Sequence, residues 1–285
     1  MKHVSELLEH LKLERLEENL YRGTSKDVGS RSVFGGQVLA QALRAASATV
    51  SKDKIAHSLH GYFILPGDIN SPIVFNVDRV RDGGSFTTRR VSAIQHGKSI
   101  FAFMASFQKK QEGFDHQIEM PDVPKPSELF SDRELFAKAE SMIPEKLKKV
   151  LGRKRPIIFK PTVIPNLFNP QKEAPYSNVW FKANGEMPDD LALHQSVLAY
   201  ASDYNLLTAA LKPHGVSYGT KNLQMASLDH AMWFFRDFRV DDWLLYSVDS
   251  PSASNARGFS RGNIFNQDGV LVASVVQEGL IRRKK

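Results

Sequence analysis

The hydrophobic pattern opens with a helical period. Leu7, Leu8 and Leu11 share one face, which predicts a helix over 5–12. Residues 13–21 read equally as a helix extension or a first strand. Phe34-Gly35-Gly36 then opens an apolar stretch rich in alanine (Ala40, Ala42, Ala45, Ala46). It predicts a long helix to about Ala48, held close to its neighbours. The period next switches to two, and strands are predicted over 57–65, 72–80, 85–95 and 99–108. In the last of these, Phe101, Phe103, Ala105 and Phe107 face one side and Ile100, Ala102 and Met104 the other. Both faces are apolar, so that strand is expected to be covered on both sides. A helix followed by a meander of strands is an α+β signature; alternating βαβ units would read differently.

Residues 109–176 break this pattern. Nine of the fourteen prolines fall there, from Pro121 to Pro175. The segment reads as a linker with one short helix around 133–141. The pattern then resumes: a strand at 178–183, a helix at 190–211, and strands at 222–236, 243–250, 256–266 and 270–281. Asn266-Gln267-Asp268-Gly269 closes the last hairpin, since Asp-Gly suits positive φ. The predicted organisation is an N-terminal domain over 1–110, a Pro-rich linker over 111–176 and a C-terminal domain over 177–285.

The two domains repeat one another. Ser58-Leu59-His60, Val77-Asp78, Arg89 and Gly97 return as Ser227-Leu228-Asp229, Val248-Asp249, Arg261 and Gly269. The offset drifts only from 169 to 172, as a duplication with small loop insertions would. That spacing is far too long for a solenoid repeat. Two copies can bury faces against each other, leaving one to carry chemistry and the other to serve as wall.

Composition narrows the function classes. With no cysteine there is no disulfide, thiolate nucleophile or thiolate metal ligand. That suits a reducing compartment, and a cytoplasmic location is expected. The charged start Met1-Lys2-His3-Val4-Ser5-Glu6 is not a signal-peptide core. No run approaches the roughly 20 apolar residues of a membrane span. The basic end Arg282-Arg283-Lys284-Lys285 is not the Ser-Lys-Leu peroxisomal address. The net charge of +7 fits ordinary solubility or an anionic partner. Lys146, Lys148, Lys149, Arg153, Lys154, Arg155 and Lys160 are clustered without interleaved aromatics, so nucleic-acid binding gains no support.

Candidate chemistry is sparse. Gly215-Val216-Ser217-Tyr218-Gly219 matches the G-x-S-x-G nucleophile elbow, but Lys212-Pro213-His214 precedes it and a strand follows. It reads as a loop. Gly35-Gly36 lacks dinucleotide and Walker spacing, though its N–H groups could serve a carbonyl oxygen or simply make a close-packed turn. The histidines show no ligand spacing, so neither a metal nor another cofactor is expected. His57, at a strand start, is the least bland of them. Comparing the copies, Asp203 lies in an apolar helical context where the first helix has, approximately, Arg44. Gln277 stands where the turn glycines align Ala105, and Ser227 lies in an apolar strand. These three read either as a shared site or as an unrelated helix-surface Asp, core Ser and strand-end Gln.

In this order the residues resemble the type II, TesB-like acyl-CoA thioesterase family. The likeness rests on Val33-Phe34-Gly35-Gly36-Gln37-Val38-Leu39-Ala40-Gln41-Ala42, His57-Ser58-Leu59-His60, Arg79-Val80-Arg81-Asp82-Gly83 and Ala201-Ser202-Asp203. It continues through Leu228-Asp229-His230-Ala231-Met232-Trp233, Trp243-Leu244-Leu245-Tyr246 and Val272-Ala273-Ser274-Val275-Val276-Gln277-Glu278-Gly279. The resemblance implies a double hotdog, two helix-wrapping sheets joined as one, and a homodimer or homotetramer. It implies an acyl-CoA substrate and a water held by Asp203, Ser227 and Gln277, with His57 and Gly36 as supporting candidates. Two other functions stay open: an enoyl-thioester hydratase on the same fold, and a non-catalytic acyl-CoA-binding protein.

Overall fold

The computed structural model describes residues 1–30, 32–143, 145, 148, 152–164, 166 and 169–283. Of the basic cluster, Lys146 and Lys149 lie outside the described residues, as do Lys284 and Lys285 of the basic end.

Helix α1 (Val4–His10) and hairpin β1–β2 (Glu14–Glu17, Leu20–Gly23) open the chain. The ambiguous stretch is therefore strand, and Asn19 makes its turn at φ +64°, a conformation Asn tolerates. Helix α2 (Gly35–Ser47) is followed by β3 (Lys54–Phe63), β4 (Ile73–Asp82), β5 (Phe86–Gln95) and β6 (Lys98–Lys109). After α3 (Asp132–Ala139) come β7 (Ile157–Pro161), β8 (Tyr176–Ala183) and α4 (Leu191–Ser202). The short α5 (Thr208–Leu211) leads into β9 (Leu223–Ser227), β10 (Asp229–Phe234), β11 (Leu244–Ser254), β12 (Arg257–Asn266) and β13 (Leu271–Arg283).

Among the described residues every strand pair is antiparallel, and all thirteen strands form one sheet. Its order β4-β5-β6-β3 is answered across the centre by β10-β13-β12-β11. The halves join where β3 pairs with β10, Leu59 opposite Met232. Each half wraps one helix, α2 or α4. The two helices pack against each other inside a core drawn from both halves, with Leu39, Leu43, Leu198 and Tyr200 fully buried. This is the double-hotdog arrangement. Its helices run antiparallel: the start of α2 meets the end of α4, and Arg44 in the last turn of α2 feels the charge of Asp190 at the α4 N-cap.

Two predicted elements are broken, each for a local reason. The helix expected to run to 211 stops at Ser202. Asp203 is its C-cap and Asn205 turns left-handed at φ +65° before α5 begins. The apolar residues that suggested continuity, Leu206 and Leu207, are buried by the turn instead. The strand expected over 222–236 is two strands on one partner. Ser227 pairs with Gly279 and Ala231 with Val276, a slip of one residue. A carboxylate oxygen of Asp229 fills the gap by accepting the Glu278 N–H at 2.6 Å. Such a bulge re-aims neighbouring side chains. Within the Pro-rich segment, β7 pairs with β8 and so extends the sheet of the second half.

Candidate active site

Asp203 stands where the two halves meet. As the C-cap of α4 it leaves the helix with its carboxylate pointing at the N-terminus of α2. There Oδ2 accepts the Gly36 N–H at 2.8 Å. Phe34, the N-cap of α2, offers no side-chain acceptor, so a carboxylate from the other half satisfies one of that helix's free N–H groups. The positive end of the α2 dipole favours the negative charge.

The other oxygen, Oδ1, accepts from Gln277 Nε2 at 3.1 Å. Ser227 Oγ lies 3.5 Å from the same oxygen, the outer limit for a hydrogen bond. That hydroxyl is thus weakly held and free to serve a third partner. Gln277 is buried on β13 and Ser227 lies on β9 just before the bulge. The structure therefore brings together Asp203, Ser227, Gln277 and Gly36.

Burial pushes the Asp203 carboxyl above the ordinary carboxylate range, outweighing the bonds from Gln277, Gly36 and Ser227, which pull it down. The residue as a whole is half-buried. Tyr200, Tyr204 and Tyr246 feel its charge, and burial raises each phenol. They flank the carboxylate as neutral groups, while Tyr218, which also feels the charge, is largely exposed. Phe34 packs against the rings of Tyr200 and Tyr204.

One open reading narrows and one expectation changes. Of the two readings of Gly35-Gly36, the close-packed turn fits the contacts of Gly36 with the Tyr200 backbone and the Phe34 ring, and the Gly36 N–H goes to Asp203. His57 is not part of this group. The Asp203 carboxylate lies beside Gly35, against which Phe63 at the end of β3 packs, whereas His57 is six residues back, roughly 20 Å along the strand. His57 packs edge-on to Phe86 there, and burial lowers its pKa. The loop with the G-x-S-x-G pattern has a 3₁₀ turn before it and β9 after it, as expected of a loop. Its bearing on the site comes through Tyr218. Sequence reasoning missed the four tyrosines and the fully buried His230, whose Nε2 meets Ser202 Oγ at 2.9 Å. The adjacency of Ser202 to Asp203 was the one available signal. The helix ends also revise the comparison of copies: matching the C-caps sets Asp203 against Ala48 rather than Arg44.

Comparison with known proteins defines the class. A family profile described as acyl-CoA thioesterase matches residues 148–280, and one described as acyl-CoA thioesterase N-terminal domain matches 23–108. The chain belongs to the acyl-CoA thioesterase family and is an acyl-CoA thioester hydrolase. It is 40% identical to acyl-CoA thioesterase 2 of Haemophilus influenzae, covering 98% of each chain. It is 42% identical to acyl-coenzyme A thioesterase 8 of Homo sapiens over 96% of this chain and 88% of that one. The crystal structure of acyl-CoA thioesterase II TesB2 from Mycobacterium marinum superposes with a TM-score of 0.79 at 43% identity, covering 97% and 98% of the two chains. Among the described residues no helix is long and apolar enough to cross a membrane.

Proposed function

We propose that the protein hydrolyses fatty acyl-CoA to free fatty acid and coenzyme A, using a water activated by Asp203. The observation that carries this reading is a carboxylate set among three hydrogen-bond donors where the two halves meet, raised in pKa by burial. A thioester carbonyl is electrophilic enough for a well-oriented water to attack. Asp203 accepts one proton as the water oxygen bonds to the carbonyl carbon. The tetrahedral intermediate then expels the thiolate, which takes that proton back from Asp203 as the C–S bond breaks. Ser227 and Gln277 hold water and carboxylate at the angle of attack. The positive charge of the chain suits a phosphate-bearing substrate. The two halves are read as one catalytic copy and one supporting copy, the latter lending the Gly36 N–H.

The test is thiol release from palmitoyl-CoA, followed with a thiol reagent. Stoichiometric release is expected. Hydration of crotonyl-CoA without release would make the protein a hydratase, and binding without turnover would make it a carrier. The hydratase route needs a histidine as proton carrier. His57 is remote, and burial pulls His230 down to about 3, which leaves it too weak a base to carry the proton.

Ser227 is a positioning hydroxyl in this scheme. A covalent role needs a base beside it, and among the described residues its only side-chain neighbour within bonding range is Asp203. Ser227→Thr is expected to keep kcat within a few-fold, and Ser227→Ala to lose about tenfold, the scale of one neutral hydrogen bond. Single-turnover traces should show no burst. Acyl label found on Ser227 by mass spectrometry would replace the water mechanism with an acyl-enzyme one.

A further inference from the structure

Gln277 does not stand alone on the sheet. On β12, Ser260 is its registered partner. On β10, His230 is one step beyond the Ala231–Val276 pair and so opposite Gln277. Side chains paired this way share a face with Cβ atoms about 5 Å apart. All three residues are essentially fully buried. Each also carries a polar atom with no hydrogen-bond partner: His230 Nδ1, Gln277 Oε1 and Ser260 Oγ. Three orphaned atoms in one row across three strands are costly unless they serve one another.

Their donor and acceptor capacities interlock. Ser202 Oγ lies 2.9 Å from the Ala199 carbonyl and 2.9 Å from His230 Nε2, and its one hydrogen can serve either. The Gln277 amide bonds His230 in the sense that favours a protonated ring, so a ring hydrogen meets the amide oxygen: Nδ1 carries the hydrogen and Nε2 accepts from Ser202. Oε1 has two lone pairs, one for Nδ1–H and one for the Ser260 hydroxyl, while the NH₂ donates to Asp203. Turned over, the amide would set its oxygen against the Asp203 carboxylate and its NH₂ against two donors.

We propose that His230 and Ser260 are positioning residues that clamp the Gln277 amide with its NH₂ toward Asp203, which makes the carboxylate's basicity depend on a three-strand polar row. The proposal rests on Asp203 being the base. Other titratable groups that feel Asp203 are Tyr200 and Tyr204 at the end of α4, Tyr218 before β9 and Tyr246 on β11, with Arg155 before β7 acting on the first three phenols. Beside the row, Glu278 acts on Asp229, and neither acts on Asp203. The phenols stay neutral through the acid range, and α2 offers only the Gly36 N–H. An acid-limb shift in row variants therefore reports on Gln277.

The experiment is the pH dependence of kcat/KM for four variants, with thermal melts alongside. His230→Gln keeps an acceptor where Nε2 stood but loses the Nδ1 donor. His230→Asn keeps a donor where Nδ1 stood but loses the link to Ser202. Ser260→Ala frees Oε1. Gln277→Leu removes the amide. A released amide loses or reverses its bond to the carboxylate, so the acid limb should move up. The expected shift is about one pH unit in Gln277→Leu and His230→Gln, the scale of one charge-assisted bond. Ser260→Ala should move the same way, and His230→Asn should stay near wild type. Equal effects of His230→Gln and His230→Asn, on activity or on folding, would overturn the clamp. So would a shift confined to Gln277→Leu. If none of the four moved the acid limb, Asp203 itself would not be the titrating base, and the proposed mechanism would fail with the clamp.

Discussion

Asp203→Asn is expected to lower kcat by about 10²- to 10⁴-fold, the usual contribution of a general base, while making the protein more stable at neutral pH. The two effects share one cause. Burial raises the Asp203 pKa in the folded protein above its unfolded value. Ionising it in place therefore costs more than ionising it in the unfolded chain. For a raised carboxyl the sign is fixed. The penalty is absent below the unfolded pKa, grows as pH rises, and is complete above the folded pKa. Asn keeps the shape and an acceptor for the Gly36 N–H and never carries the charge. Its NH₂ then faces the Gln277 NH₂, a cost that is the same at every pH and leaves the pH dependence of the difference to report the charge. The variant's advantage in melting temperature should thus be largest near neutrality. It should shrink as pH falls through the window between the raised folded value and the ordinary carboxylate range. Wild-type kcat/KM should fall on acidification through that same folded pKa. An Asp203→Asn enzyme with near-normal turnover would place the base elsewhere. One that is inactive and also less stable at every pH would mean the carboxylate serves packing.

Much of this fold is legible in the sequence because both periodicities are strong. Phe101, Phe103 and Phe107 are buried on the helix side as their alternation predicts, but the strand is not covered on both sides as expected: Met104 on its other face is 42% exposed. The repeat becomes the mirrored order of strands across the β3–β10 join. Legibility fails where one residue changes the geometry without changing the hydrophobic pattern. Leu206 and Leu207 continue the apolar run of α4, yet Asn205 turns the chain between them and Ser202. Leu228 continues the apolar run of β9, yet the bulge resets the register. Both breaks occur beside the site. One places Asp203 at a helix end and the other aims Ser227. The link from Gly36 to Asp203 spans 167 residues, and no local pattern encodes a contact at that range. The difference between the copies at 277 was readable because a buried glutamine is unusual where its counterpart is Ala105. Its partners His230 and Ser260 were not, since each is an unremarkable polar residue until strand register sets them side by side.

The closeness of the two helices can be tested at a single atom. A Cβ built on Gly36 would lie 2.4 Å from the Tyr200 carbonyl oxygen and 2.6 Å from the Phe34 ring. The ring can turn; the carbonyl belongs to the backbone of α4 and cannot yield alone. Helix propensity argues the other way, since Ala in place of Gly favours a helix by about 1 kcal/mol. Overpacking costs about 1–3 kcal/mol, and contact with backbone falls toward the upper end. Gly36→Ala should therefore destabilise by about 1–2 kcal/mol in urea unfolding. To make room, α2 must slide from α4, and the 2.8 Å bond from Gly36 N–H to Asp203 must lengthen. A hydrogen bond to a charged group contributes about 1.5–3 kcal/mol, so its loss should raise the Asp203 pKa further. It should also lower kcat/KM by about 10- to 100-fold, with the acid limb displaced upward. Ala at Gly84, where a Cβ meets nothing within 4 Å, is the control that changes the same atom without the clash. A Gly36→Ala protein more stable than wild type would show that the helices have slack. Full activity would show that the first half lends no hydrogen bond that the chemistry needs.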